Sequence, residues 1–118
     1  MKHNSLNNFD KNNLGIVYTP KNLVDEILDL IPEKYFKNKD LKWLDIGAGK
    51  GAFSLNLYNR LLKHLSCQFE NIEDCENHII KNMLFMIEIY EPHINYLIEL
   101  FGNESNIINK CFLSLIDL

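Results

Sequence analysis

The sequence predicts an α/β fold, a doubly wound parallel sheet of which the first three strands and their flanking helices are present. Short apolar runs at 41–46, 83–89 and 107–112 alternate with stretches whose apolar residues recur at helical spacing. Such alternation favours parallel strands joined by helical crossovers. The first run also leads straight into a glycine-rich turn and a helix: residues 43–53 read Trp-Leu-Asp-Ile-Gly-Ala-Gly-Lys-Gly-Ala-Phe. With 118 residues, 47% of them apolar, the chain is large enough for one domain with a modest core.

Each element has its own signal. The polar, Asn- and Lys-rich residues 1–14 are expected to be mobile. Thr19 is a good N-cap, and Pro20 suits a first helical position, where its missing N–H costs nothing. Leu23, Ile27, Leu30 and Ile31 then form a helical stripe, widened by Val24 and Leu28, and Pro32 closes the helix. The charged residues 33–40 read as a connection. Residues 41–46 form the first strand, apolar enough to be a central strand covered on both faces.

Residues 52–65 are a helix with Phe53, Leu57, Leu61 and Leu65 on one face and Leu62 beside them. The polar residues 66–74 read as irregular, and 75–82 as a short helix feeding the second strand, 83–89. Pro92 sits just inside a third helix carrying Ile94, Leu97, Ile98 and Phe101, and Gly102 is a stop. Ile107 and Ile108 open a third strand that reaches Phe112.

Composition narrows the function. A formal net charge of −4 argues against these residues gripping a phosphate backbone alone. Cys67, Cys75 and Cys111 are odd in number and irregularly spaced, as reduced thiols of an intracellular protein would be. Cys75 and His78 have ligand-like spacing, but no second pair completes a zinc site. The first residues lack the apolar core of a signal peptide. The longest apolar stretch, 83–87, is far short of the roughly 20 residues a bilayer requires. A soluble, cytoplasmic protein with no membrane partner is expected.

In a doubly wound sheet, ligands bind beyond the carboxyl ends of the strands. Thr19-Pro20, residues 45–51, Glu88-Ile89 and Cys111-Phe112 converge there. Gly47, Gly49 and Gly51 allow a close backbone approach, and the helix that follows presents free N–H groups. Glu88, at the end of the second strand, can accept two hydrogen bonds from ribose hydroxyls, because a carboxylate is an acceptor only. Ile89 and Phe112 can flank a flat base.

Leu-Asp-Ile-Gly-Ala-Gly-Lys-Gly-Ala-Phe resembles the first motif of class I S-adenosylmethionine-dependent methyltransferases, enzymes of Rossmann-like fold. Tyr18-Thr19-Pro20 followed by Leu23-Val24 is similar to the motif preceding it in adenine-N6 DNA methyltransferases. Residues 79–89 resemble that family's second strand and the helix leading into it. The resemblance spans residues 15–115, and it makes 15–118 the cofactor-binding half of a methyltransferase domain that stops before the fourth strand. It implies that Tyr18 and Thr19 help hold the cofactor's methionine carboxylate and that Asp45, Gly47 and Gly49 line its methionine end. It further implies that Glu88 holds the ribose and Ile89 touches the adenine. Cys111, beside Phe112, stands where the family usually has an Asp that accepts from the adenine amino group, and a thiol is a weak partner.

The family's Asn-Pro-Pro-Tyr or Asp-Pro-Pro-Tyr acceptor motif does not occur in these 118 residues. The resemblance therefore implies a cofactor-binding portion without a catalytic group of its own. It would reach DNA through a missing C-terminal part, and a second polypeptide or self-association would cover the sheet edge where the fourth strand would lie. The first motif does not name the acceptor, so RNA, protein or a small molecule stays open. A non-catalytic remnant or binding module stays open too. A dinucleotide-binding dehydrogenase fits less well, because its acid falls about 20 residues after the glycines.

Overall fold

Three parallel strands form one sheet in the order β1-β2-β3: β1 is Trp43–Ile46, β2 is Leu84–Ile87 and β3 is Asn106–Ile108. The computed structural model describes residues 20–116. Trp43 pairs with Leu84 and Ile46 with Ile87, while Phe85 pairs with Asn106 and Ile87 with Ile108. β2 is the central strand, and Leu84, Met86 and Ile87 are buried. The expected α/β class and parallel pairing are thus present. Among the described residues no helix is long and apolar enough to cross a membrane.

The helix before the sheet, α1, is Lys21–Asp29, shorter than the expected 21–31. Pro20 is its N-cap, in extended conformation, rather than its first helical residue. Thr19 and the expected mobile residues 1–14 lie outside the described residues. Of the expected face, the flanking Val24 and Leu28 are the buried residues, whereas Leu23 and Ile27 are exposed and Leu30 is 81% exposed. Ile31, of the same stripe, packs against the core, and Ile27 borders a groove beside β1. Arg60 ties α1 to the following long helix, with Nη2 2.7 Å from Asp29 Oδ1 and 3.0 Å from the Asp25 carbonyl.

Residues 33–40 are not a mere connection. Glu33–Phe36 form a short helix, α2, which buries Phe36 in a stack on Trp43 with ring centroids 5.4 Å apart. Charged neighbours conceal this anchor in the sequence. The longest helix, α3 (Ala52–Leu65), has the expected bounds and buries Leu57, Leu61 and Leu65. Helical spacing here coincides with an uninterrupted core face.

The approach to β2 differs most from expectation. Asn71 caps α4, Ile72–His78, its side chain accepting from the Asp74 N–H at 2.9 Å. The helix therefore starts three residues earlier than expected and continues as a π turn over Ile79–Met83. A π turn leaves carbonyls outside the usual ladder. The Asn106 amide reaches two of them, donating to the Ile80 (3.1 Å) and Lys81 (3.0 Å) carbonyls, and also to that of Leu84 at the start of β2 (3.1 Å). Met83 belongs to this turn and not to β2.

After β2, Glu91–Phe101 form α5, which ends at Gly102 as the sequence predicts. β3 stops at Ile108 and does not reach Phe112. Cys111 instead caps a 3-10 turn, Phe112–Leu115, its carbonyl accepting from the Ser114 N–H (3.0 Å) and Oγ (2.6 Å). That local bonding competes with extension of the strand.

Candidate functional site

The turn after β1 is built by backbone donors. Gly47 N–H and Ala48 N–H both donate to the Ile87 carbonyl, at 2.8 and 3.0 Å, so the turn folds over the end of β2. Gly49 N–H then donates to Glu88 Oε1 at 2.8 Å. Gly49 has φ +57°, and a Cβ there would meet nothing within 4 Å. Its need for glycine is conformational, and the space beside it is open. Gly51 differs: at φ +90°, a Cβ would lie 3.0 Å from Leu97 and 3.2 Å from Leu100. Its role is to let α5 approach the loop.

Glu88 is not a solvated strand end. It is 6% exposed, and its carboxylate takes three donors or near-donors. Besides Gly49 on Oε1, Tyr90 N–H reaches Oε2 at 3.0 Å and His93 Nδ1 lies 3.4 Å from the same oxygen. The Glu88 N–H donates to the Ile108 carbonyl at 2.9 Å. With its amide oriented to satisfy the local hydrogen bonds, Asn109 donates to the Glu88 (3.0 Å) and Ile89 (3.2 Å) carbonyls. All three strand ends are therefore linked at this residue, β1 through its carboxylate and β3 through its backbone.

Asp45 points to the following helix, where its Oδ2 accepts from Ser54 Oγ at 2.6 Å. Burial raises its pKa above the usual 3.8, against the lowering effect of the Ser54 hydrogen bonds and with help from the negative charge of Glu88. Asp45 and Gly47 also border an open groove of about 470 Å³ between α1, β1 and α3, lined further by Ile27, Ile31, Trp43 and Leu57.

The structure thus joins Gly49 to Glu88 by a hydrogen bond and Gly47 to the neighbouring Ile87 carbonyl, and the negative charge of Glu88 acts on Asp45. Ile89 is 67% exposed beside them. Cys111 is exposed and Phe112 half-buried in the turn beyond β3. Tyr18 and Thr19 lie outside the described residues. Two participants escaped sequence reasoning. Ser54 is the third residue of the helix after a strand-end acid, where a hydroxyl can reach back. His93 occupies the same position in the helix after Glu88 and is 2% exposed.

Among the described residues no group of three or more His, Cys, Asp or Glu side chains is placed to hold a metal ion. Cys75 is buried, and burial pushes its thiol pKa up, away from the thiolate a metal would take. His78 is engaged with the Lys39 carbonyl at 2.7 Å. No family model and no curated protein matches this chain.

Proposed function

We propose that these residues seat S-adenosylmethionine, as the cofactor-binding half of a class I methyltransferase with a doubly wound, Rossmann-like sheet. One observation carries the proposal. The glycine loop of β1 and the acid after the adjacent parallel strand meet in a direct hydrogen bond, Gly49 N–H to Glu88 Oε1 at 2.8 Å. A ligand with vicinal hydroxyls takes the place of Gly49 on Glu88. Its flat base lies against Ile89, and its cationic end extends toward Asp45 and the groove. The raised pKa of Asp45 supports that direction, because a neighbouring cation relieves the cost of its charge.

The acceptor we favour is an adenine amino group in DNA, on the strength of the Tyr18-Thr19-Pro20 resemblance alone. In such enzymes the base is extruded into the pocket and the protein contributes mainly positioning and electrostatics. These 118 residues contain no Asn-Pro-Pro-Tyr and carry net negative charge, so DNA contact and acceptor binding fall to a further segment or a second polypeptide. Incubated alone with tritiated cofactor and adenine-rich duplex, the chain leaves the DNA unlabelled; stoichiometric label contradicts this division of labour.

Titration calorimetry with S-adenosylmethionine and its demethylated product tests the seat itself. Weak binding is expected, lost in Gly49→Val, whose side chain fills the open approach and strains a positive φ by roughly 1–2 kcal/mol. Equal heats for both proteins, or none at millimolar ligand, contradict it. A second reading, a binding module without chemistry, is favoured by the burial of Glu88 among its own donors. In that case no adenosine-containing ligand binds, while the fold is intact.

A further inference from the structure

His93 is the third residue of α5, 2% exposed, with Nδ1 3.4 Å from Glu88 Oε2. Its place is tightly defined. Its backbone N–H donates to the Tyr90 carbonyl at 3.0 Å, and the Tyr90 ring meets the imidazole edge-on with centroids 4.7 Å apart. A carboxylate only accepts, so the pair attracts when the ring proton sits on Nδ1. The distance is long for a hydrogen bond, and a ring so placed steers the carboxylate more than it binds it.

We propose that His93 is the positioning residue of Glu88 and sets how strongly this site recognises a vicinal diol. The terminal torsion of a glutamate is broad, so its two oxygens do not hold their directions unaided. Tyr90 N–H and His93 Nδ1 both address Oε2, and together they fix that torsion. Oε1 then faces the glycine loop, with Gly49 N–H as its donor. A diol needs two acceptor positions in one orientation: the second lone pair of Oε1 and the place Gly49 gives up. Without His93 the carboxylate is steered on one side by the Tyr90 backbone alone, and it turns. The diol-dependent part of affinity falls, while contacts to the base and to the cationic end stay as they were.

The inference rests on the cofactor reading above, and the experiment separates the two. Affinities of S-adenosylhomocysteine and its 2′-deoxy analogue are measured for the unaltered chain, His93→Phe and His93→Asn. The unaltered chain prefers the diol by roughly tenfold or more, the scale of a hydrogen bond to a charged group. His93→Phe cuts that preference by roughly threefold or more while the 2′-deoxy analogue binds about as before, and His93→Asn, with a donor near the Nδ1 position, restores most of it. An unchanged preference in His93→Phe, or equal losses for both ligands, overturns the role of His93 and leaves the cofactor reading standing. No binding of either ligand to the unaltered chain overturns both. Should His93→Phe not fold, the ring ¹⁵N shifts of the unaltered chain decide: a proton on Nδ1 at neutral pH is expected, and a bare Nδ1 overturns the assignment.

Discussion

On its β2 side, β1 is held by a ladder of backbone bonds that continues past the strand through Gly47 and Ala48 to the Ile87 carbonyl, and Gly49 N–H then reaches the Glu88 carboxylate. On its other side it borders an open, mostly apolar groove, with Leu44 and Ile46 each 52% exposed. Among the described residues, the four of β1 thus separate a polar junction whose hydrogen bonds are made from an apolar edge that is partly exposed. A ligand can act at the first only by exchanging one bond for another. At the second, a ligand or another chain adds contacts without displacing any. Substitutions at the junction should therefore cost stability, whereas those at the edge should alter association and leave the fold alone.

The largest effect is expected where the junction meets α5. Gly51→Val combines positive-φ strain, roughly 1–2 kcal/mol, with crowding against Leu97 and Leu100, roughly 1–3 kcal/mol. Urea unfolding should show a loss near their sum or no folded protein; a wild-type midpoint would mean that α5 does not pack here. Next is Glu88→Gln, which turns one acceptor oxygen into a donor facing N–H groups. A loss of roughly 1–3 kcal/mol is expected in unfolding, with a similar loss in ligand affinity. Loss of affinity with stability unchanged would show that the bonds to Gly49 and Tyr90 contribute little to the resting fold.

Asp45 offers a smaller effect of opposite sign. Its pKa is raised by folding, so above that pKa its charge opposes the folded state, and the cost fades as pH falls toward the unfolded value of 3.8. Asp45→Asn should melt above the unaltered chain at neutral pH, with the gap closing on acidification. A variant less stable at neutral pH would show that the Ser54 bond outweighs burial. The smallest effect on stability belongs to the edge. Ile46→Lys should change unfolding free energy by no more than roughly 0.5 kcal/mol. In sedimentation it should remove any concentration-dependent association, since an edge lysine discourages strand pairing. Unfolding of this variant would show that the groove is part of the core.

The same contrast explains what was legible in the sequence. The helix at residues 52–65 has the expected bounds because every apolar position on one face meets the core. On α1 only one side of the predicted face is buried, because periodicity reveals a face and not what lies opposite it. Leu23, Ile27 and Leu30 repeat correctly yet are exposed among the described residues. The glycine turn and the strand-end acid were readable because few residue types can adopt those positions. His93 and Ser54 were not, since a polar residue in the first turn of a helix looks like a solvated one until the neighbouring strand end is in place. The π turn before β2 depends on Asn106, more than twenty residues away, and no local pattern announces a partner at that distance.

The exchange of Gly49 for a ligand diol on Glu88 is tested most directly by the Gly49 amide itself. In the unliganded protein its proton is bound to a carboxylate oxygen at 2.8 Å, and such a charge-assisted bond carries the resonance downfield. Titration with S-adenosylhomocysteine, followed by amide proton–nitrogen correlation spectra, should move the Gly49 resonance upfield along a saturable curve. Gly47 and the Ile89 amide should shift with it, while residues of α4 stay fixed. A Gly49 resonance that does not move at saturating ligand, or a ligand that shifts nothing in the loop, would contradict both the seat and the exchange.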